Sequence, residues 1–299
     1  VKAVRKALID WDKSLPEKKP QARGKEVLTA QDVGFAYTPR SPKVLEHINF
    51  SVYEGEMLSL VGTNGAGKST LAKLITGIVR ESEGRFLFNG QDMADMTIRE
   101  RSRHIGFVMQ NPNQMLCKPM IYDEVALGLR LNGVPENEIK DRVNHACSIC
   151  GIAPFIGWPV SALSFGQKKR VTIASVLAMQ PRIIILDEPT AGQDYRHYCE
   201  IMEFLVSLNK SGVTIILITH DMHLMLEYTT RSLVLHAGRL LSDSDSVHAL
   251  TDTAIAEKAS LKVTSLYTLA EKAGSDDSHR FVQNFIDYER EVLREGKTV

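Results

Sequence analysis

Residues 57–70 read MLSLVGTNGAGKST, a short apolar run that leads into a glycine-rich loop with a lysine near its end. Within it, Gly62–Ser69 match the pattern G-x-x-x-x-G-K-[ST], and helix-forming residues continue to Thr76. Glycines let consecutive backbone N–H groups curl around one anion, and the following helix adds the positive end of its dipole. The segment therefore predicts a strand, a phosphate-binding loop and a helix, which together open an α/β nucleotide-binding fold.

The loop itself supplies the residues expected to bind the nucleotide. The Lys68 ammonium would reach the β- and γ-phosphates, and the Ser69 hydroxyl would ligate Mg²⁺. The expected ligands are therefore ATP and Mg²⁺. The residues predicted to bind ATP are Gly62, Thr63, Asn64, Gly65, Ala66, Gly67, Lys68, Ser69 and Thr70.

A second motif occupies residues 183–188, which read IIILDE. Four aliphatic residues predict a buried strand, and the two acids leave it at its carboxyl end, where open α/β sheets bind ligands. Asp187 is suited to the Mg²⁺ shell, and Glu188 is suited to polarise an attacking water as a general base. The alternative is an acidic strand end on the surface, which the phosphate loop upstream disfavours.

The composition excludes some classes of function. Lys plus Arg and Asp plus Glu number 36 each, so the formal net charge is zero and no nucleic-acid partner is expected. No apolar run approaches the roughly 20 residues of a bilayer-spanning helix, so any membrane role is expected to be peripheral. Cys147 and Cys150 have no second pair at a zinc spacing and are expected to be helical core thiols.

Residues 163–167 read LSFGQ, and together with the two preceding motifs they resemble the LSGGQ signature of ATP-binding-cassette (ABC) ATPases. Phe165 replaces the usual glycine, while Ser164 and Gly166 keep the start of an anion-binding helix. The resemblance covers about 27–241. It implies an α/β P-loop NTPase of the ABC type: a mainly parallel sheet with an antiparallel β subdomain and a helical subdomain, followed here by a C-terminal helical extension.

The resemblance also implies roles for residues that individually say little. It implies that Tyr37 stacks on adenine, that Gln110 senses Mg²⁺ and the attacking water, and that His220 contacts the γ-phosphate. Residues 191–194 (AGQD) resemble the D-loop, whose acidic residue is Asp194. Each has a structural alternative, such as surface packing, a loop cap or an ordinary strand-end histidine. Their order along the chain favours the ATPase interpretation.

In this family the signature faces the nucleotide of the opposite subunit, so ATP lies between two cassettes. The expected partner is therefore a second ABC ATPase domain, in a homodimer or a heterodimer. The residues expected to act on the partner's nucleotide are Leu163, Ser164, Phe165, Gly166 and Gln167. Because the serine and the following glycine are kept, nucleotide binding is expected to survive the phenylalanine.

Residues 110–114 (QNPNQ) and 121–129 (IYDEVALGL) resemble the same region in the ATPase subunits of energy-coupling-factor importers of vitamins and transition metals. This resemblance implies a transmembrane scaffold subunit that contacts region 110–129, and a peripheral location at the cytoplasmic face of the cell membrane. Apolar candidates for the contact groove are Met115, Leu116, Met120 and Ile121. The alternative places these side chains in the core of the helical subdomain, expected at about 112–165.

Both ends of the chain are expected to lie outside the cassette. Residues 1–26 combine a short amphipathic helix with a linker, and this start without Met is similar to the second half of a fused two-cassette subunit for hydroxymethylpyrimidine or thiamine import. Residues 242–299 are expected to dock on the core or to dimerise. Their apolar stripe consists of Phe281, Phe285, Tyr288 and Val292.

Two other functions share the phosphate loop. A soluble ABC ATPase of DNA repair or translation usually carries a coiled coil, a zinc module or a second cassette, and the interval from Lys68 to Ser164 has no sustained heptads and no zinc spacing. A P-loop kinase would not explain residues 163–167 or His220. The expected function is therefore the ATP-hydrolysing subunit of a membrane importer.

Overall fold

The computed structural model describes residues 2–15, 23–192, 195–261 and 264–294. The linker expected at residues 16–22 and the D-loop residue Asp194 lie outside this described part. The strands are β1 (Glu26–Phe35), β2 (Leu45–Tyr53), β3 (Met57–Gly62), β4 (Glu83–Phe88), β5 (Gln91–Asp92), β6 (Ile105–Val108), β7 (Ile183–Asp187), β8 (Thr214–Ile218), β9 (Arg231–His236) and β10 (Arg239–Asp245). The α-helices are α1 (Lys2–Ser14), α2 (Lys68–Ile75), α3 (Ile98–Ser102), α4 (Ile121–Leu131), α5 (Glu136–Ile149), α6 (Phe165–Ala178), α7 (Tyr195–Lys210), α8 (Met222–Tyr228), α9 (Ser246–Thr251), α10 (Thr253–Lys258), α11 (Ser265–Ala273) and α12 (Ser278–Arg294).

A six-stranded sheet in the order β10-β9-β3-β8-β7-β6 forms the centre of the molecule. Strands β9, β3, β8, β7 and β6 are parallel, and β10 runs antiparallel to β9. Every residue of β3, β7 and β8 is buried, as expected for strands covered on both faces. Because these strands are parallel and adjacent in the order β3-β8-β7, the loops that follow them meet at one edge.

A second sheet is antiparallel, with the strand order β2-β1-β4-β5. The hairpin between β4 and β5 turns at Asn89 and Gly90, whose φ angles are 49° and 82°, as a type I′ turn requires. Large side chains of this sheet, Phe86 and Ile48 among them, share one apolar cluster with Leu71 and other residues of α2. The mainly parallel sheet and the antiparallel subdomain predicted from the sequence are thereby confirmed.

Helices α4, α5 and α6 pack together, and their buried side chains share one apolar cluster with strands β6, β7 and β8 and helix α7. Ile121 is fully buried in that shared cluster, so of the two placements that the sequence left open for it, the structure shows the core and not the surface groove. Cys147 and Cys150 are buried there too, and burial raises the pKa of Cys147 to about 11. Across the described residues there is no group of three or more His, Cys, Asp and Glu side chains placed to hold a metal ion without other ligands.

The chain ends pack against each other. Trp11 of α1 makes edge-on contacts with Phe281, Phe285 and Tyr288 of α12, at ring-centroid distances of 6.2, 6.3 and 5.8 Å. The buried Asp12 carboxylate accepts a hydrogen bond of 2.6 Å from the Asn284 side chain. The leader and the extension, which the sequence suggested as separate segments, therefore form one unit. The side chain of Val292, the last member of the expected stripe, lies outside the described part.

Strand β10 crosses the cassette boundary expected at residue 241, because its pairing with β9 continues to Asp245. The extension continues directly from this strand, and α9 packs on β9, β10 and α8. Among the described residues, no helix combines the length and apolar character required to span a bilayer.

Candidate nucleotide-binding site

The phosphate loop joins β3 to α2, and backbone angle favours glycine at three of its positions, while space also requires it at Gly62 and Gly67. Gly62, Gly65 and Gly67 have φ angles of 142°, 81° and 104°. A Cβ at Gly62 would lie 2.0 Å from the Leu235 carbonyl oxygen of β9, and one at Gly67 would lie 2.6 Å from Leu45 Cδ2. The loop therefore curls tightly against neighbouring strands, which leaves its N–H groups available on the concave side.

Lys68, the first residue of α2, extends its ammonium back over this loop. Its Nζ donates hydrogen bonds to the carbonyl oxygens of Gly62 (2.8 Å) and Thr63 (3.0 Å). Burial lowers the pKa of Lys68, and the carboxylates of Glu188 and Asp187 oppose that shift. A phosphate oxygen is a stronger acceptor than either carbonyl, because the hydrogen bond is then charge-assisted on both sides. The ammonium is thus held beside the loop, where it could exchange its carbonyl acceptors for oxygens of a bound phosphate.

Ser69 and Asp187 meet at the carboxyl edge of the sheet. The Ser69 hydroxyl donates a hydrogen bond of 2.8 Å to Asp187 Oδ2, and the Asp187 residue is buried. A hydroxyl and a carboxylate are hard oxygen donors of the kind that bind Mg²⁺ together with substrate phosphates and water. The residues present therefore fit the expected cation.

Glu188 follows directly and sits in a strained backbone conformation. Its φ of 48° is left-handed, which is rare for a residue with a long side chain and costs of order 1–3 kcal/mol. Its N–H donates to the Ile218 carbonyl of β8, and its Oε1 lies 2.5 Å from Nδ1 of His220. The imidazole donates this bond, since an ionised carboxylate only accepts. Glu188 and His220, two of the three residues predicted to be catalytic, are thus brought together, although their roles stay predictions.

Tyr37 and Gln110 lie at the periphery of this edge. The Tyr37 ring is 58% exposed, packs edge-on against Phe35 and places its hydroxyl 3.3 Å from Thr70 Oγ1. An exposed aromatic face beside the phosphate loop can stack on a base. Gln110 follows β6, and its side chain is exposed. The structure therefore brings Tyr37 to the loop, while it leaves the side chain of Gln110 open to solvent.

The signature residues lie at the start of α6, where Ser164 and Phe165 are exposed to solvent. Ser164 caps the helix: its Oγ accepts from the Gln167 N–H, and its own N–H donates to Gln167 Oε1, which is a capping box. Phe165 is 43% exposed, whereas Leu163 is buried in the helical region. Within the described part of the chain, no hydrogen bond joins residues 163–167 to the phosphate loop.

Lys169 is a polar residue of this site that the sequence interpretation missed. It is 1% exposed, and its Nζ donates to the carbonyl oxygens of Met109 (2.8 Å), Gln110 (3.0 Å) and Asp187 (3.3 Å). Burial lowers the pKa of Lys169 to about 8, against the opposing effect of the Asp187 and Glu188 carboxylates. The available signal was a lysine on an apolar helix face, since Ile173 four residues later is also buried.

Known proteins resemble both the sequence and the fold. The family described as ABC transporter matches residues 45–191. A putative ABC transporter ATP-binding protein of Clostridium perfringens is 55% identical over 283 residues, which are 95% of this chain and 50% of that relative. One from Enterococcus faecalis is 53% identical over 277 residues, 93% of this chain and 49% of that relative. The chain thus spans about half the length of the curated relatives it matches.

Two solved structures show the same fold. CbiO1 from Clostridium perfringens, part of the ABC transporter complex CbiONQ, has a TM-score of 0.71 and 35% identity, covering 83% of this chain and 99% of that chain. A dimeric ATP-binding cassette in a post-hydrolysis state, bound to ADP and Pi, has a TM-score of 0.67 and 26% identity, covering 73% and 98%. The similarity to CbiO1 therefore extends over nearly the whole of a single cassette.

Proposed function

Because the chain belongs to the ABC transporter family and contains its ATP-hydrolysing domain, we propose that it powers a membrane importer of the energy-coupling-factor type. The observation that carries the proposal is the convergence at one sheet edge. The phosphate loop, the Ser69–Asp187 pair and the Glu188–His220 pair follow the three adjacent parallel strands β3, β7 and β8. This arrangement supplies the anion cradle, the metal ligands and the base that ATP hydrolysis needs.

In the proposed reaction the loop N–H groups and Lys68 hold the β- and γ-phosphates of ATP. Ser69, Asp187 and Gln110 are the residues that would hold Mg²⁺, and the cation, when bound, would offset the negative charge of the phosphates. Glu188 accepts a proton from the attacking water at a carboxylate oxygen. His220 orients that carboxylate through the 2.5 Å contact and would itself contact the γ-phosphate.

The site is proposed to be completed by a second ABC ATPase domain. In support, the capped start of α6 faces solvent and has no hydrogen bond to the phosphate loop in the described residues. The curated relatives are about twice as long as this chain, which leaves room in them for a second domain of similar size. The ATP of each cassette would then contact the Ser164 helix of the other.

The partner in the membrane is proposed to contact the surface beside Gln110. A groove of about 320 Å³ lies there, lined by Asn113, Leu116, Lys118, Pro119, Pro159, Val160 and Ser161. The Met109 N–H donates to Met115 Sδ at an N···S distance of 3.2 Å, and Met115 precedes the groove residue Leu116 in the chain. A helix of a transmembrane scaffold subunit seated here would move with the nucleotide site, at the cytoplasmic face of the membrane.

The finer assignments are also proposals. Import of a vitamin or a metal ion rests on the resemblance of residues 110–114 and 121–129 to energy-coupling-factor ATPases. The length of the relatives is consistent with a fused two-cassette subunit, and its assignment to hydroxymethylpyrimidine or thiamine import rests on the resemblance alone. The cassette of residues 27–241, its helical subdomain of about 112–165 and a docking or dimerisation role for residues 242–299 stay predictions. The alternative, a soluble ABC ATPase uncoupled from transport, has no specific observation in its favour.

The replacement Glu188→Gln tests the proposal because it keeps the size of the side chain and removes the base. We expect ATP binding to stay within about twofold, while steady-state hydrolysis falls by roughly 10² or more, the usual contribution of a general base. Binding is followed with a fluorescent ATP analogue and hydrolysis by phosphate release. Glu203→Gln, at an exposed position of α7, is the matched control. Undiminished hydrolysis in Glu188→Gln would reject the assignment.

A further inference from the structure

Lys169 links three separate segments through one ammonium group. It is the fifth residue of α6, and its hydrogen-bond acceptors lie 60, 59 and 18 residues away in sequence, on Met109, Gln110 and Asp187. The first two follow β6, and Asp187 ends β7. The helix that begins with the signature is therefore tied to the two strand ends on which the predicted ligands Gln110 and Asp187 are placed.

This link is fully satisfied and almost completely buried. An ammonium has three donors, and the three backbone carbonyls accept all of them. Burial of a charge without such partners would be costly, so the position of Nζ is fixed by its acceptors. A buried polar network of this kind is rigid, since any relative shift of α6 and the strand ends would break a hydrogen bond that water cannot replace.

The adjacent residue Lys168 makes a solvent-accessible hydrogen bond, in contrast to the buried hydrogen bonds of Lys169. Lys168 Nζ donates to Asn113 Oδ1 at 3.2 Å, and both groups are accessible to solvent. Exchange of that hydrogen bond for water costs little. Of the two neighbouring lysines, Lys169 is the one that can transmit a movement of the helix.

We propose that Lys169 is a positioning residue that couples the two composite ATP sites of the assembled cassette pair. The inference rests on the proposed function, in which Ser164 at the start of α6 contacts the nucleotide of the partner cassette. A nucleotide that pulls on the start of α6 moves Lys169 one turn later. Lys169 then repositions the backbone of Gln110 and Asp187, which serve the nucleotide of this chain. Occupancy of one site thereby sets the geometry of the other.

The test uses the assembled pair with an unmodified partner cassette and with Glu188→Gln in this chain. In that background, hydrolysis comes only from the site that combines the partner's phosphate loop with the signature of this chain. We expect the further change Lys169→Met to lower the kcat of this residual hydrolysis about tenfold, with the KM for ATP unchanged within twofold. Lys169→Arg restores part of the rate because a guanidinium can donate to the same carbonyls.

Lys168→Met is the matched control and is expected to change the rate by less than about twofold. Thermal unfolding and binding of a fluorescent ATP analogue check that each variant folds. If Lys169→Met does not fold, Lys169→Gln replaces it, with a smaller loss of kcat expected because one donor group remains. An unchanged kcat, a loss equal to that of Lys168→Met, or a rise in KM alone overturns the coupling.

The variant Ser164→Ala distinguishes a failure of the composite site from a failure of the coupling through Lys169. If Ser164→Ala in the same background also leaves the residual hydrolysis unchanged, the composite site of the proposed function fails, and the coupling with it. If Ser164→Ala lowers the residual hydrolysis while Lys169→Met does not, the composite site stands and only the role of Lys169 is rejected.

Discussion

Two helices of this chain begin at a predicted phosphate contact, and they begin in opposite ways. Helix α2 follows Gly67, whose φ is 104°, and no side chain caps its N-terminus. Helix α6 follows Ser164, whose hydroxyl and the Gln167 amide close a complete capping box. The first start is enclosed by the glycine loop and the buried Lys68, whereas the second is exposed.

This difference indicates how the N-terminus of each helix binds a phosphate. The first N–H groups of a helix need acceptors, and at α2 no side chain in the described part of the chain supplies one, which leaves these groups for a ligand. At α6 the capping box satisfies the Gln167 N–H, so the helix is stable before any nucleotide reaches it. In a site shared between two chains, we expect one helix N-terminus that needs a ligand to satisfy its N–H groups and one that is already capped by its own chain. Helices α2 and α6 have these two kinds of N-terminus.

The largest effect is expected at the uncapped start. In Lys68→Met, loss of the ammonium removes about 3 kcal/mol of charge-assisted hydrogen bonding, so the affinity for ATP should fall roughly 10²-fold. The variant should be no less stable to heat, because burial already disfavours the charged lysine. Titration with a fluorescent ATP analogue measures the affinity, and Lys73→Met in the same helix is the control. If Lys68→Met binds ATP as tightly as the unmodified chain, the claim that the N-terminus of α2 binds the phosphates with Lys68 is wrong.

The capped start should respond only in the assembled pair. Ser164→Ala loses the cap, about 1 kcal/mol of helix stability, and a hydroxyl that would face the partner's nucleotide in the proposed pair. We expect hydrolysis in the pair to fall about tenfold, while ATP binding to the phosphate loop of the same chain is unchanged. Counting nucleotides trapped per dimer locates the loss. Ser175→Ala, further along α6, serves as the control, and a loss at the chain's own loop would contradict the shared site.

The sequence was sufficient for the sheet edge because the information there is local. An apolar run such as residues 183–186 predicts a buried strand, and the polar residue that follows must then lie at its carboxyl end. The order of the strands was not needed, since parallel strands all end at the same edge. Fold class and the meeting of Ser69 with Asp187 could therefore be predicted.

Contacts between distant segments could not be predicted. Lys169 lies 60 residues from Met109, and Trp11 is about 270 residues from Phe281. Local sequence patterns do not predict contacts between residues that are so far apart in the chain. Periodicity identified the apolar faces of α1 and α12 without saying that they cover each other. For the same reason it could not tell that Ile121 belongs to the helical core and not to the groove.

The smallest effect is expected at Phe165, the first residue of α6. The Phe165 ring, 43% exposed at the first position of α6, stands where the partner's phosphate would approach the helix N–H groups. In Phe165→Gly that obstruction is gone, and we expect hydrolysis in the pair to rise about threefold, a change of less than 1 kcal/mol. Phosphate release from assembled pairs measures it.

Phe165→Ala separates the two possible reasons for such a rise. Alanine removes the ring but keeps a good helix former, whereas glycine also frees the backbone. If obstruction by the ring is the cause, both variants accelerate hydrolysis equally; if backbone freedom is the cause, only glycine does. Slower hydrolysis in both would mean that the ring itself contacts the partner's nucleotide. The exposed start would then resemble the enclosed one in using its own side chain to bind the ligand.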